Sequence, residues 1–199
     1  MPQLSLNPTD VVLVRHGETE WSKTGRHTGA TDLHLTPAGE EAARELAPVL
    51  AELSFARVFT SPLQRARRTG ELAGFADRMI EDADLMEWNY GAYEGRTSQD
   101  IARSAPGWMV FQHGCPGGET PEQVGERVDR LIRRLNQGEG PALVFAHGHL
   151  LRVLTARWLG LPPAAGAHFL LDTATLNVLS HYRGEPALAR WNAPPAVRP

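Results

Sequence analysis

A chain of 199 residues fits one ordinary domain and is too short for two full α/β units. Its 42% hydrophobic content, single cysteine (Cys115) and formal net charge of −3 exclude whole-chain disorder, a disulfide framework, a cysteine-based zinc site and general nucleic-acid binding. No uncharged apolar run approaches ~18 residues, and Met1 to Asp10 lacks the basic and apolar regions of a secretory leader, so no membrane span is expected and the expected location is cytoplasmic.

Val11-Val12-Leu13-Val14 is a short apolar, β-branched run that predicts a buried strand. Thr36-Pro37 supplies an N-cap and a first-turn proline, with Glu40 and Glu41 in the positive first turn, and predicts a helix to about Leu53. Val58-Phe59-Thr60 predicts a second strand. Ser61-Pro62 repeats the cap-then-proline signal and predicts a helix to about Ala73. From about 79 to 118 (Met79 to Gly118) the chain is rich in aromatics and glycine and weakly periodic. This stretch is expected to be a lid-like excursion with one short helix near Ser98 to Ser104. Thr120-Pro121-Glu122-Gln123 is a capping box, and Val124, Val128, Leu131, Ile132 and Leu135 follow at helical spacing. Leu143-Val144-Phe145 predicts a third strand, followed by a helix from about Leu150 to Leu159. Thr175 to Tyr182 and Ala187 to Trp191 flank Arg183-Gly184-Glu185 and predict a hairpin. The tail, Ala193 to Pro199, is expected to be frayed. No internal repeat or low-complexity tract occurs. The expected fold is α/β: a single domain over 1–199, a three-layer α/β/α sandwich with a mostly parallel central sheet.

Three predicted strands end in residues that carry chemistry. The first runs into Arg15-His16-Gly17 and the third into His147-Gly148-His149. The second ends in Ser61-Pro62-Leu63-Gln64-Arg65, which puts Arg65 about one turn into the following helix. Ligands of open parallel sheets bind at the carboxyl ends of the strands, so Arg15, His16, Arg65 and His147 are expected to converge. Two guanidiniums and two imidazoles make a donor-rich pocket suited to a phosphoryl group. Glycine after each histidine permits close backbone approach. Lys23 is the only lysine, so most arginines read as surface charge, and His34, His113, His168 and His181 lack any such context. A metal hydrolase built on His147-x-His149 is disfavoured because no carboxylate follows at ligand spacing.

Arg15-His16-Gly17-Glu18-Thr19 resembles the signature of the histidine phosphatase superfamily, which includes the cofactor-dependent phosphoglycerate mutases. Ser61-Pro62-Leu63-Gln64-Arg65-Ala66-Arg67-Arg68-Thr69 and His147-Gly148-His149 are similar to its second and third blocks, in order. Glu87, followed by Tyr90-Gly91-Ala92-Tyr93-Glu94-Gly95, resembles the segment that supplies its acid/base. The resemblance implies His16 as the nucleophile that becomes phosphohistidine, Arg15, Arg65 and His147 as the phosphoryl cradle, and Glu87 as proton donor, with no cofactor and no metal. Elementary chemistry is compatible with those roles. An imidazole nitrogen attacks phosphorus only when unprotonated, so the other ring nitrogen must carry the proton, held by a backbone carbonyl. Fixed cations stabilise the charge that spreads over the equatorial oxygens. A buried carboxyl can protonate the leaving alkoxide, and Glu87 lies between Met86 and Trp88. A neutral His16 beside a protonated Glu87 predicts a bell-shaped pH profile in the mildly acidic range.

Two departures from the family pattern stand out. Trp21-Ser22 replaces the frequent Trp-Asn pair, and the longer insertion of the mutases is missing, which favours hydrolysis over transfer. Glu20-Trp21-Ser22-Lys23, Gly25-Arg26-His27-Thr28-Gly29, Glu87-Trp88-Asn89-Tyr90-Gly91 and His147-Gly148-His149-Leu150-Leu151-Arg152 resemble the sedoheptulose-bisphosphatase-like branch and nearby small bacterial acid phosphatases. That likeness suggests His27, Thr28, Ser61, Tyr90 and Arg152 as substrate contacts, although Ser61 also reads as a plain helix cap. The expected activity is metal-independent hydrolysis of a small phosphorylated metabolite: a sugar phosphate, a bisphosphate or a phospho-acid. The alternatives are a cofactor-dependent phosphoglycerate mutase and a non-catalytic phosphate-binding regulatory protein; the latter would be expected to lack His16 or Glu87, and both are present. No nucleic-acid or membrane partner is expected, and an exposed edge strand could form a homodimer.

Overall fold

Successive residues of the first strand serve two different cores. In β1 (Val11–Arg15), Val11 and Leu13 join one hydrophobic cluster while Val12 and Val14 join another. This is the period-two consequence of burying a strand on both faces. The computed structural model describes residues 5–195. With β2 (Arg57–Thr60), β3 (Met79–Glu81), β4 (Ala142–Ala146), β5 (Leu176–Tyr182) and β6 (Glu185–Ala193), β1 forms a sheet of order β3-β2-β4-β1-β5-β6. The first four strands in that order run parallel, and β5 and β6 close the sheet through antiparallel pairings. Arg15 is level with Ala146, and Thr60 with Phe145, so the carboxyl ends of β1, β4 and β2 open on the same place.

The helices are α1 (Glu20–Lys23), α2 (Pro37–Ala51), α3 (Gln64–Gly70), α4 (Ser98–Ser104), α5 (Val110–His113), α6 (Pro121–Asn136) and α7 (Gly148–Trp158). Leu46 and Leu50 of α2, with Phe55 and Phe75, pack on the face that carries Val12, Val14 and Phe145. Val124, Val128 and Leu131 of α6 and Leu150, Leu154 and Trp158 of α7 cover the other face. The expected three-layer α/β/α arrangement is present. The Thr36 cap on α2 and the Thr120–Gln123 capping box on α6 are formed as their sequences predict. In the hairpin turn, Arg183 and Gly184 have φ of 53° and 88°, the paired positive values that a two-residue turn needs to follow the strand twist.

Several expectations need correction. Ser61 is not a helix cap: α3 begins at Gln64 with Leu63 as its N-cap and no side-chain cap bond. The Ser61 hydroxyl accepts Leu63 N at 3.3 Å ahead of the helix and is also hydrogen-bonded to His147 at 2.7 Å. The excursion starts later than expected, because Met79–Glu81 is the edge strand β3. It is also no loose lid: Leu85, Trp88, Tyr90, Val110 and Phe111 are buried in the core beside α6 and α7. The helix expected from Leu150 begins at Gly148, and α1 and α5 have no counterpart among the elements the sequence predicts. Ala193 is the last residue of β6, while 196–199 lie outside the described residues.

Candidate active site

At the carboxyl ends of β1 and β4 lies a cavity of about 240 Å³. Arg15, His16 and Glu87 line it, as do the expected substrate contacts His27, Thr28, Tyr90 and Arg152. His16 follows β1 directly, and its backbone N–H donates to Ala146 O at the end of β4. Its ring is buried, with Nδ1 2.7 Å from Gly17 O. A carbonyl can only accept, so Nδ1 carries the proton and Nε2 keeps its lone pair. Burial, then the charges of Arg65 and Arg15, hold the imidazole well below its ordinary pKa and therefore neutral.

Arg15 lies against the start of α7, where a Cβ on Gly148 would stand 3.2 Å from its Nε. The glycine after His147 thus leaves the guanidinium room that a side chain would narrow by a few tenths of an ångström. One amino group of Arg15 donates to Leu171 O, and the buried Nε has no hydrogen-bond partner. Arg15 therefore keeps unspent donors at the cavity wall.

Arg65, His147 and Ser61 converge close to His16 but do not line the cavity. The guanidinium of Arg65, fully buried, donates to the carbonyls of Thr28, Gly29 and Thr31. Its Nε donates to His147 Nδ1 at 3.2 Å, which leaves the His147 proton on Nε2 to bond Ser61 Oγ at 2.7 Å. The His147 ring stands edge-on to that of His16, with centroids 5.2 Å apart. Burial, then Arg65, keeps this second imidazole neutral as well.

Glu87 reaches the cavity from the excursion and completes a helix that is not its own. Helix α7 has His147 as N-cap with no side-chain cap bond. Its exposed donors find Glu87 instead: His149 N donates to Oε2 at 3.0 Å and Leu150 N to Oε1 at 2.9 Å. Trp88 N also donates to Oε1. A carboxylate at a helix N-terminus satisfies orphan N–H groups and the macrodipole together. Of the roughly four lone-pair sites of a carboxylate, one on Oε2 is left for a proton.

The outer wall is aromatic and imidazole-rich. Tyr90 is buried, and burial, then Glu87, raises its phenol well above the usual range, so it keeps its proton while its hydroxyl is hydrogen-bonded to His149 Nδ1. His27 packs on the Tyr90 ring at 4.8 Å, and burial pulls it down to about 4. Arg152 stacks on Phe111 at 4.4 Å while Nε and Nη2 donate to Gly166 O and Ala167 O. Thr28 lines the cavity, and its hydroxyl donates to Arg26 O at 3.3 Å.

Residues 11–194 match the family described as Histidine phosphatase superfamily (branch 1). The chain belongs to the histidine phosphatase superfamily. Within it, an acid phosphatase of Mycobacterium tuberculosis is 38% identical over 183 residues, covering 90% of each chain. The sedoheptulose 1,7-bisphosphatase of Saccharomyces cerevisiae is 41% identical over 190 residues, covering 79% of this chain and 69% of the yeast protein. Among solved structures, a Mycobacterium tuberculosis open reading frame superposes with a TM-score of 0.88 at 37% identity, covering 94% of this chain and 98% of that one.

In this histidine phosphatase some cavity residues escape sequence reasoning. Ser22, Arg26 and His149 line the cavity. His149 is visible in the His-Gly-His block but carries no role of its own there. Arg26 sits in a loop between more telling neighbours, and only its position at the rim reveals it. The His147-x-His149 metal reading fails on hydrogen bonding: both His147 nitrogens face Arg65 and Ser61, and His149 Nδ1 faces Tyr90. Glu18 and Glu94, the other carboxylates near the motifs, bond Thr36 and the Gly29–Thr31 backbone and do not line the cavity.

Proposed function

We propose that this phosphatase hydrolyses small phosphorylated metabolites, without a metal ion, through a phosphohistidine on His16. The lone pair on Nε2 attacks phosphorus, the P–O bond to the metabolite breaks, and the proton on Glu87 passes to the leaving alkoxide. Water then attacks the phosphohistidine, Glu87 takes back a proton, and phosphate leaves with His16 neutral again. Arg15 holds phosphoryl oxygens with its unspent donors. Arg65 and His147 complete the cradle once the His147 Nε2 proton exchanges Ser61 Oγ for a phosphoryl oxygen. His27, Thr28, Tyr90 and Arg152 form the wall against which the metabolite rests, and Arg152 meets a second anionic group. The substrate class is accordingly a bisphosphate or phospho-acid. The yeast relative's name, a sugar bisphosphatase, supports this reading.

The observation that carries the proposal is the fixed tautomer of His16, protonated on Nδ1 by its bond to Gly17 O, neutral, and beside an unsatisfied Arg15. Rapid quench with a ³²P-labelled bisphosphate is expected to trap an acid-labile, base-stable phosphoprotein in the wild type and none in His16→Ala. Substantial turnover by His16→Ala would dismiss the mechanism.

A further inference from the structure

We propose that Arg127, paired with Glu119, is a positioning residue that sets Glu87 for proton transfer. The inference rests on the reading of Glu87 as the acid/base. Arg127 projects from the middle of α6, and its side chain is only 11% exposed. Nη1 donates to Asp84 O at 2.8 Å and Met86 O at 2.7 Å, and Nη2 approaches Glu87 O at 3.5 Å. These are carbonyls of the segment that leads into Glu87. On the far side, Glu119 takes over. Its Oε2 accepts Asn89 N at 2.8 Å, and its backbone oxygen accepts Trp88 Nε1 at 3.0 Å. Arg127 and Glu119 are joined by parallel bonds of 2.9 Å and 2.8 Å, the planar two-point geometry that fixes orientation as well as distance.

Residues 84–89 have no strand partner and little regular structure beyond the short helical turn Ala83–Leu85. Backbone carbonyls buried here need donors, and Arg127 supplies them on the approach to Glu87 while Glu119 anchors the exit. The carboxylate is then aimed at the α7 N-terminus and the cavity by a clamp outside both. A burial argument alone would give the clamp a purely structural role. Its placement around one residue, the proposed acid/base, points to catalysis. Proton transfer is sensitive to errors well under an ångström.

The test is a comparison of leaving groups, measured on full-length Arg127→Met and Arg127→Lys alongside Glu87→Gln and the Arg127→Met/Glu87→Gln double variant. An alkyl phosphate such as glycerol 2-phosphate needs a proton on its leaving oxygen; p-nitrophenyl phosphate hardly does. Glu87→Gln is expected to lose about 100-fold in kcat/KM, which reports formation of the phosphohistidine and not its hydrolysis, on the alkyl phosphate, the scale of general acid catalysis, and far less on the aryl ester. Arg127→Met is expected to lose about tenfold on the alkyl phosphate with little change on the aryl ester, and to add nothing in the Glu87→Gln background. Arg127→Lys keeps the charge and reaches fewer carbonyls, so it should fall between wild type and Arg127→Met. If Arg127→Met does not fold, the Lys variant and its own double carry the same comparison. Equal losses on both substrates, or losses that add to Glu87→Gln, would overturn the clamp and leave the acid role of Glu87 standing. A Glu87→Gln variant that treats both substrates alike would remove the acid role, and the clamp with it.

Discussion

At the scale of single residues, the structure changes what Arg152 is able to do. Its position five residues after His147 suggests a two-pronged grip on a second anion. The N–H of Nε and one N–H of Nη2 are already committed to Gly166 O and Ala167 O, and the guanidinium lies over the Phe111 ring. Both Nη1 hydrogens and the second hydrogen of Nη2 are left over, so any grip on a second anion is end-on, from a guanidinium already held by the fold. Arg26, exposed at the rim and lining the same cavity, is a further cation there outside the proposed phosphoryl cradle. Arg152→Ala is expected to raise KM for a bisphosphate or phospho-acid by one to two orders of magnitude, about 1.4 to 2.8 kcal/mol. Hydrolysis of p-nitrophenyl phosphate should stay nearly unchanged. Arg26→Ala should cost about threefold on the same bisphosphate, as befits an exposed charge pair worth ~0.2–1 kcal/mol. Steady-state kinetics on the two substrates separates the cases. A uniform loss in Arg152→Ala would put that residue in the cradle or the fold, and no loss would return it to the surface charges that an Arg-rich composition supplies.

At the scale of elements, α2 matters to the site although it carries no cavity residue. Its first turn runs over the chain leaving β1 with glycine against glycine. A Cβ on Gly17 would lie 2.4 Å from Gly39 O, and one on Gly39 would lie 2.2 Å from Glu18 O. Thr36 N also bonds Glu18 O, and Gly17 N donates to Thr69 Oγ1 of α3. The turn after His16 is therefore fixed by two helices, and backbone cannot give way as a flexible side chain would. Gly39→Ala is expected to destabilise the fold by about 1–3 kcal/mol, the range of overpacking, and to lower kcat for every phosphate ester alike, since His16 itself moves. Denaturant unfolding and kinetics on two esters check both halves; an unperturbed Gly39→Ala would mean that α2 does not hold the turn. The same close packing explains which elements sequence can reveal. β1 and β4 are legible because both faces are buried, which writes an unbroken apolar run such as Leu143-Val144-Phe145. β3 is not: it is three residues at the sheet edge, and Ile80 is 51% exposed. α1 is a single turn whose capping pair, Thr19 and Ser22, is indistinguishable from loop chemistry. Ser61 looks like a cap because Ser-Pro so often is one, and its hydroxyl does accept Leu63 N, but the shorter bond to that hydroxyl comes from His147, 86 residues away. Glu87 is found by its resemblance, but its service to the α7 N-terminus and its contacts with Arg127 reach across the fold, where no local pattern encodes them.

Across the whole molecule, the sheet order places β4 between β1 and β2, and this gathers imidazoles in the dry centre. His16, His27, His147 and His149 are all held below the ordinary histidine value, with burial as the leading cause in each. The proposed attack needs a neutral His16, and the whole fold carries the consequence of burying all four rings. In the unfolded chain these rings take up protons near pH ~6.5, while in the native protein they resist until the solution is much more acid. Between those limits the unfolded state binds more protons, so stability is full above about pH 6.5 and falls as the pH drops below it. The slope is about 1.4 kcal/mol per pH unit for each ring that remains neutral, and for His27 the window closes at about 4. Glu40, Asp84 and Asp100 are also held below their ordinary values. Their stabilisation is present above the unfolded carboxylate value and is lost only at still lower pH, so it does not contribute to the upper part of the window. Thermal unfolding followed from about pH 7.5 to about pH 4.5 should show a level Tm down to about 6.5 and then a steep decline, with net proton uptake on unfolding by calorimetry in buffers of different ionisation enthalpy. His27→Gln, which removes a ring that has no part in the proposed phosphoryl chemistry, should make the decline shallower by about one proton's worth. A Tm that stays level to about pH 5 would mean that the rings titrate in the native protein. The neutrality of His16 on which the phosphohistidine mechanism depends would then have to come from the bound substrate rather than from the fold.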